Sequence, residues 1–289
     1  MPELPEVQTV VNDLRRLGAL GACITRVRVF NPRTIATPAP RVFCQRVRGA
    51  RITDITRRAK FIVLQLDNQH YLLIHLRMSG HLHFVAPDQP RAKHEHVIFS
   101  LDDGRDLRFH DTRKFGRMFL TPRIEDITGA LGVEPLAAAF TPAVLFDMLH
   151  QRARMLKPLL LDQTLIAGLG NIYTDEALWL AKLHPCRRGG TLTRSNVAAL
   201  HAAIQQVLRK GIRNLGTNLG DGLNHFHLLS DERARNQEEL MVYQRTGAPC
   251  ARCGTLIQRL LVGQRGTHVC PRCQPAGAAC RYQARAGDQ

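Results

Sequence analysis

The feature that most constrains this chain is a change of hydrophobic period about midway along it. From Cys23 to Leu120 the apolar residues come in short alternating runs, among them CITRVRVF, FIVLQL, YLLIHL, HLHFV, HVIFSL and DLRFH, separated by turn-prone pieces such as LDNQ and LDDGR. A period of two repeated over so many short segments specifies a meander of antiparallel strands, and a sandwich or flattened barrel is the way such a meander buries its apolar face. Beyond Pro142 the period lengthens. VLFDMLHQRARMLKPLLLD, IYTDEALWLAKL and SNVAALHAAIQQVLRKGI carry apolar residues at helical spacing, the last with Ser195 as its expected N-cap. A short amphipathic helix also opens the chain, with Val7, Val10, Val11, Leu14 and Leu17 in register after Pro5 and Gly18 as a stop.

The fold class is therefore α+β and multidomain, and 289 residues accommodate about two domains. LGVEPLAAAFTP, around Leu131 to Pro142, follows neither period, so the expected division is a β domain at 1–130, a linker at 131–142 and a helical domain at 143–241. Gly216 to Glu239 is polar without a clear period and reads as a long functional loop. A strand-turn-strand unit at 242–273 and a disordered tail at 274–289 complete the expectation.

Cysteine spacing carries the sharpest local chemistry. Cys250, Cys253, Cys270 and Cys273 form C-x2-C, a sixteen-residue spacer and C-x2-C. Two such knuckles bring four thiolates to one tetrahedral ion, and with no open position for water a zinc ion there is structural. A redox pair is the alternative, but it explains half the pattern and needs a βαβ context that is absent. His268 and Cys280 lie near enough in sequence to count as substitute ligands. From Arg245 to Cys273 there are five arginines (Arg245, Arg252, Arg259, Arg265 and Arg272) and no acidic residue, a composition suited to gripping phosphates.

The whole chain is basic: 40 Lys and Arg against 24 Asp and Glu leave a net charge of +16, which calls for a polyanionic partner. The charge alone admits a nucleic acid or an acidic membrane surface, and an aromatic content of 6% argues against a platform for stacked single strands. No apolar run approaches the roughly 18 residues of a membrane span, and MPELPEVQTVV lacks the basic and apolar regions of a secretory signal. A cytoplasmic, nucleoid-associated monomer with no membrane partner is expected.

At the N-terminus, Pro2, Glu3 and Glu6 have a structural reading, in which the carboxylates favour the positive end of a helix by about 0.3–1 kcal/mol each. They also have a chemical one. Removal of Met1 exposes the secondary amine of Pro2, and an α-amino group titrating near 7.7–8.0 is roughly a tenth neutral at pH 7, far more than a surface lysine. Such an amine attacks a sugar or carbonyl carbon to give an iminium, with adjacent carboxylates available to move protons.

PELPEV at 2–7, RRAK at 57–60, HLRMSG at 75–80, DTRKFG at 111–116, LLLDQTLIAGLGNIYTDEAL at 159–178 and the cysteine knuckles occur in that order. Together they resemble the formamidopyrimidine-DNA glycosylase and endonuclease VIII family across the chain to Cys273. The resemblance implies an N-terminal antiparallel β-sandwich with flanking helices, then a helix-two-turn-helix domain ending in a four-cysteine zinc ribbon. It implies a base-excision repair enzyme, glycosylase and abasic-site lyase in one, with damaged duplex DNA as substrate. Pro2 would attack C1′ of the damaged nucleotide, Glu3 would assist opening of the sugar ring, Lys60 belongs with the catalytic group and Glu6 would support it. Met78, Arg113 and Phe115 occupy the positions that fill the hole left by the extruded nucleotide. Contacts to DNA phosphates fall on Lys60, His75, Asn171, Tyr243 and Arg265.

Met78 with Phe115 follows the branch that removes oxidised purines. Three departures stand against the family pattern: Arg77 where glycine is common, Lys114 where a second arginine is common, and LGDGLNHFHLLSDERARNQ in place of the usual lesion-capping loop. The last keeps oxidised pyrimidines open as an alternative substrate class. Two further readings remain: a catalytically silent zinc-ribbon protein that binds damaged DNA, and a metal enzyme using His94, Glu95 and His96. The last lacks the helical i, i+4 spacing of such sites.

Overall fold

The computed structural model describes residues 2–220, 227–230 and 232–276. The expectations for Cys280 and for the tail from 277 onward lie outside these residues, as does part of the polar loop. The chain divides into two units, residues 1–130 with 212–237, and residues 131–211 with 238–289.

The first unit opens with α1 (Leu4–Arg16), whose apolar side, Val7, Val10, Val11 and Leu14, is fully buried. Then follow β1 (Ile24–Val29), β2 (Ile35–Thr37), α2 (Pro40–Val47), β3 (Ile52–Arg58), β4 (Phe61–Leu66), β5 (Tyr71–His75), β6 (His81–Val85), β7 (Glu95–Leu101), β8 (Asp106–His110), β9 (Arg117–Thr121) and the short α3 (Glu125–Thr128). They form a four-stranded sheet, β1-β7-β8-β6, and a five-stranded sheet, β2-β9-β5-β4-β3. All pairings are antiparallel except β2 with β9, which is parallel. Leu82, Val97, Phe99, Leu107 and Phe109 from the first sheet share one core with Ile55, Ile62, Leu64, Leu72, Ile74 and Met118 from the second, so the two sheets are the layers of a sandwich. Leu228, Leu229 and Ala234 join the same core, which is why 212–237 belongs to this unit. The sequence pattern alone assigns that segment to the helical domain; its polar surface hides three anchoring apolar residues.

The second unit begins at Leu131. The stretch expected as a linker is pinned to it by backbone bonds from Gly132 N–H to the Gln163 carbonyl (2.9 Å) and from Val133 N–H to the Leu165 carbonyl (3.1 Å). Helix α4 (Pro142–His150) starts where Thr-Pro places it, with the Thr141 hydroxyl accepting from the Val144 N–H. After α5 (Leu156–Leu161) and α6 (Asn171–Leu180), the long α7 (Arg194–Arg213) is capped by Thr193 rather than by Ser195: Thr193 Oγ1 accepts from the Asn196 N–H at 3.1 Å and the Asn196 side chain returns the bond at 3.3 Å. Thr and Asn three apart form this reciprocal pair, which Ser195, already inside the helix, is too late to make. The hairpin β10 (Gln258–Val262) and β11 (Arg265–Val269) carries the cysteine knuckles at its base.

Candidate active site and metal centre

In the first unit the residues of interest gather around the start of α1. Pro2 is buried, Glu3 is the N-cap, and Glu3 and Glu6 form a reciprocal box in which Glu6 Oε2 accepts from the Glu3 N–H at 2.8 Å. The other Glu6 oxygen accepts from the Thr217 N–H at 2.8 Å. Two turns on, Asp13 Oδ2 accepts from the Leu229 N–H and the Ser230 hydroxyl, both at 3.2 Å. One helix thus fixes both the N-terminal residues and two points of the 212–237 segment.

Lys60 sits in the β3–β4 turn, where Ala59 takes a left-handed φ of 51°, and it is buried. Its ammonium acts on His75 at the end of β5: burial, then the charges of Arg77 and Lys60, push the His75 imidazole down to about 3. His75 Nδ1 accepts the Arg77 N–H at 3.0 Å, so the neutral ring carries its proton on Nε2. His75 is therefore an uncharged N–H donor.

Met78 and Phe115 are 41% and 47% exposed, uncommon for such side chains, and the Arg113 guanidinium lies 5.0 Å from the Phe115 ring centroid. Their two loops are stapled together beneath. Asp111 accepts from the Ser79 hydroxyl (2.5 Å), the Arg113 N–H (3.2 Å) and the Gly116 N–H (2.7 Å). Both loops also end against one ring: a Cβ on Gly80 or Gly116 would lie 2.9 or 2.4 Å from Phe109 Cζ, so neither position admits a side chain. Ser79 and Asp111, both buried, appear in the sequence only as parts of longer motifs. The departure at Arg77 lies in the same loop, with a left-handed φ of 57°, a conformation that suits glycine.

In the second unit Asn171, Tyr243 and Arg265 are drawn together by buried charges that the helical periodicity does not flag. Lys157 and Asp175 form a fully buried ion pair at 2.6 Å, and Lys157 Nζ also donates to the Gly266 carbonyl at 3.0 Å. Asn171 Nδ2 donates to that same carbonyl at 3.0 Å, which places it beside Arg265 on β11. Asp175 Oδ2 accepts the His268 N–H at 2.9 Å, and the Tyr243 ring meets the His268 ring at 5.1 Å. Glu176 accepts the N–H groups of Met241, Val242 and Tyr243, each at 2.9 Å. Burial pushes its carboxyl up, against the pull of those three donors. The visible clue is the presence of charged residues, Lys157, Asp175 and Glu176, inside otherwise apolar helical runs.

The four cysteine sulfurs lie within 4.8 Å of one another, with Cys253 to Cys270 at 3.4 Å, Cys253 to Cys273 at 3.5 Å and Cys250 to Cys273 at 3.9 Å. Zinc–sulfur bonds of about 2.3 Å at tetrahedral angles require sulfur–sulfur edges of about 3.8 Å, so the set fits one zinc ion. Donors already face the sulfurs: the Trp179 indole N–H reaches Cys250 Sγ and the Cys273 N–H reaches Cys270 Sγ, both at 3.4 Å. Hydrogen bonds from Thr255 hold the Cys253 thiol down to about 6, whereas burial pushes Cys270 up to about 12. Four thiolates there require a divalent cation, whose role is structural because no coordination position is left open.

The alternative through His94, Glu95 and His96 does not assemble. Glu95 turns to Arg108 (3.0 Å) and His83 (2.9 Å), while His96, at the break in the β7–β8 register, bonds the Asp111 carbonyl at 2.8 Å.

Comparison with known proteins gives the same order of parts, with the second family model running on to residue 221, into the segment that returns to the first unit. Family models match in order: the formamidopyrimidine-DNA glycosylase N-terminal domain at residues 1–118, the formamidopyrimidine-DNA glycosylase H2TH domain at 131–221, and a zinc finger found in FPG and IleRS at 247–276. The formamidopyrimidine-DNA glycosylase of Protochlamydia amoebophila is 47% identical over 95% of this chain and 99% of its own length, and that of Herpetosiphon aurantiacus is 44% identical over 95% and 100%. Among solved structures, a Lactococcus lactis FPG mutant in complex with Fapy-dG-containing DNA superposes with a TM-score of 0.88 at 35% identity, covering 95% of this chain and 100% of that one. The L. lactis protein bound to abasic-site DNA gives 0.87 at the same identity and coverage. With its three domains matched in order and its relatives covered almost end to end, the chain belongs to the formamidopyrimidine-DNA glycosylase family.

Proposed function

We propose that this protein is a base-excision repair enzyme that removes oxidised purines from duplex DNA and cleaves the strand at the resulting abasic site. The observation that carries the reading is the start of α1, where Pro2 is buried beside the Glu3–Glu6 carboxylate pair. Met1 lies outside the described residues, and its removal is what makes Pro2 a nucleophile. The Pro2 nitrogen then attacks C1′, its electron pair forms the new C–N bond, and the glycosidic bond breaks with its pair leaving on the base, which takes up the proton that the Pro2 nitrogen releases. Glu3 delivers a proton to the sugar ring oxygen, opening the ring to an iminium. Loss of the C2′ proton expels the 3′-phosphate, and a second elimination expels the 5′-phosphate. Lys60 lies beside His75 and completes the basic surroundings; Glu6 holds Glu3 in place.

Chemistry at C1′ requires the nucleotide out of the stack, at a cost of a few kcal/mol. Met78, Arg113 and Phe115, exposed on two stapled loops, are suited to fill the vacated space. His75, Asn171, Tyr243 and Arg265 bind phosphates, and the net charge of +16 supplies the wider attraction to DNA. The zinc ion held by Cys250, Cys253, Cys270 and Cys273 keeps the Arg265 hairpin rigid. The enzyme acts as a monomer in the cytoplasm on the nucleoid; among the described residues no helix is long and apolar enough to cross a membrane.

A solved complex of the L. lactis protein contains oxidised-pyrimidine DNA, which keeps that class in the test. Borohydride trapping on duplexes carrying 8-oxoguanine opposite cytosine, an oxidised pyrimidine, or a preformed abasic site, with mapping of the cross-linked peptide, decides the question. Cross-linking at Pro2 on the 8-oxoguanine and abasic duplexes is the expected result. Trapping on abasic DNA alone refutes the purine assignment, and none with a confirmed free Pro2 amine favours a silent DNA-binding protein.

A further inference from the structure

The four-stranded sheet carries a cluster of histidines that the repair chemistry does not use. His81 and His83 stand two apart on β6, so both project from one face, the face turned away from the core residue Leu82. His110 on β8 is the direct antiparallel partner of His81. Ring centroids of His81 and His110 are 4.6 Å apart and those of His81 and His83 are 5.6 Å apart. Three imidazoles bound to one tetrahedral ion at about 2.0–2.1 Å have ring centroids about 5 Å apart.

We propose that His81, His83 and His110 form a second metal site, for one divalent ion of the zinc, cobalt or nickel class. Two residues alternating on one strand and a third directly across the ladder put three imidazoles on one face with His81 between the other two, and three protein ligands leave a fourth position to water. The Nδ1 atoms of all three are buried without a hydrogen-bond partner, as is that of His94, whose ring lies 5.6 Å from His110. Buried polar atoms are ordinarily paired, and several ring nitrogens without a partner in one cluster call for a common one. For His83 the tautomer follows from the geometry: Glu95 accepts from Nε2 at 2.9 Å, so in the neutral ring Nδ1 bears the lone pair. A carboxylate behind a ligating histidine is also what orients such rings in metal sites.

The surrounding charge is compatible with a cation. Arg108, across the ladder from His83, is neutralised by Glu95 and Asp106 at 3.0 and 3.1 Å. Burial, together with His110, His83 and His227, pushes His81 down to about 3, and burial with His94 and His83 lowers His110, so both offer neutral nitrogens at pH 7. Among the described residues only the cysteine sulfurs already lie within 4.8 Å of one another, so binding turns the three rings about their side-chain bonds.

The test uses the full-length, untagged protein with its cysteine site filled, titrated with zinc and separately with cobalt. A second equivalent of zinc is expected, raising the unfolding temperature, and cobalt there should absorb in the visible without the sulfur charge-transfer band of the cysteine site. The H81Q/H110Q double variant, and H83Q at a partly exposed position, should weaken the second equivalent at least about 100-fold while keeping the first. Either variant must unfold cooperatively to be counted. A single equivalent in the unmodified protein overturns the proposal, as does a second one bound equally well by the variants, which marks an adventitious ion only.

Discussion

Asp111 is the side chain whose alteration most directly separates holding the loops from doing the chemistry. It is buried and accepts three hydrogen bonds, from the Ser79 hydroxyl and the Arg113 and Gly116 N–H groups. In D111N one oxygen can stay with Gly116, whose backbone donor cannot turn. The new amide then faces Ser79, which can rotate to accept, and the Arg113 N–H, which cannot and keeps only the 3.3 Å contact to Ser79 Oγ. The net change is the loss of one buried bond to a charged acceptor, about 1.5–3 kcal/mol. Because that energy holds Met78, Arg113 and Phe115 in place, single-turnover excision of 8-oxoguanine should slow by roughly 10- to 150-fold, at about 1.4 kcal/mol per tenfold. Cleavage of a preformed abasic site, with no base to expel, should slow less than about tenfold. Urea unfolding measures the stability loss alongside. Unchanged excision in a variant destabilised by the calculated amount, or equal losses on both substrates, would refute the positioning role of Asp111.

Further outcomes follow from the buried groups and the metal. Because His75 stays neutral, H75Q should weaken DNA binding without changing the slope of log affinity against log salt, whereas R265Q should lower that slope by about one unit; a changed slope in H75Q refutes its neutral role. The same imidazole titrates at 6.5 when unfolded and near 3 when folded, so its contribution to stability is full above pH 6.5 and lost as pH falls toward 3; H75Q should remove about 2 kcal/mol of the loss between about pH 7.5 and 5, read from urea midpoints. Lys157→Met strands Asp175 in the interior and should cost about 3–5 kcal/mol, much of it restored in the K157M/D175N double variant, and an additive double-variant loss would contradict the pairing. Chelation of zinc should shift the emission of Trp179, the chain's single tryptophan, to longer wavelength, since its indole packs with Val242, Ile257 and the cysteines; an unmoved spectrum after metal loss would exclude that coupling.

The two layers and the ribbon are readable in the sequence because period and cysteine spacing are local properties: β4, β5, β7 and β8 coincide with the runs FIVLQL, YLLIHL, HVIFSL and DLRFH. Strand β2, only three residues long and parallel to β9, carries too few residues for any pattern. The N-terminal helix and its glutamates are legible through PELPEV, but the grip of Glu6 on Thr217 and of Asp13 on Leu229 is not, since a carboxylate's partner more than two hundred residues away leaves no periodic trace. Lys157 and Asp175 are hidden differently. Eighteen residues apart, each reads as an exposed helix charge until packing buries them together. The histidines at 81, 83 and 110 belong to strands that alternation identifies, yet their convergence depends on the β6–β8 register, which alternation alone leaves open.

The return of residues 212–237 to the first unit sets a schedule for the chain during synthesis. The bonds from Glu6 to Thr217 and from Asp13 to Leu229 join residues 211 and 216 positions apart. A nascent chain that has emerged only through Ala130 holds both sheets but not these partners, and must wait for another 107 residues to reach Gln237. At bacterial or slower elongation rates that interval is about 5–20 s. Throughout it the first unit lacks Leu228, Leu229 and Ala234 from its core, and Glu6 and Asp13 of α1 lack their bonds to Thr217 and Leu229. The helix that follows Pro2 and Glu3 is therefore the last part of the sandwich to be secured, so the first unit is completed by the ribosome's progress through the second.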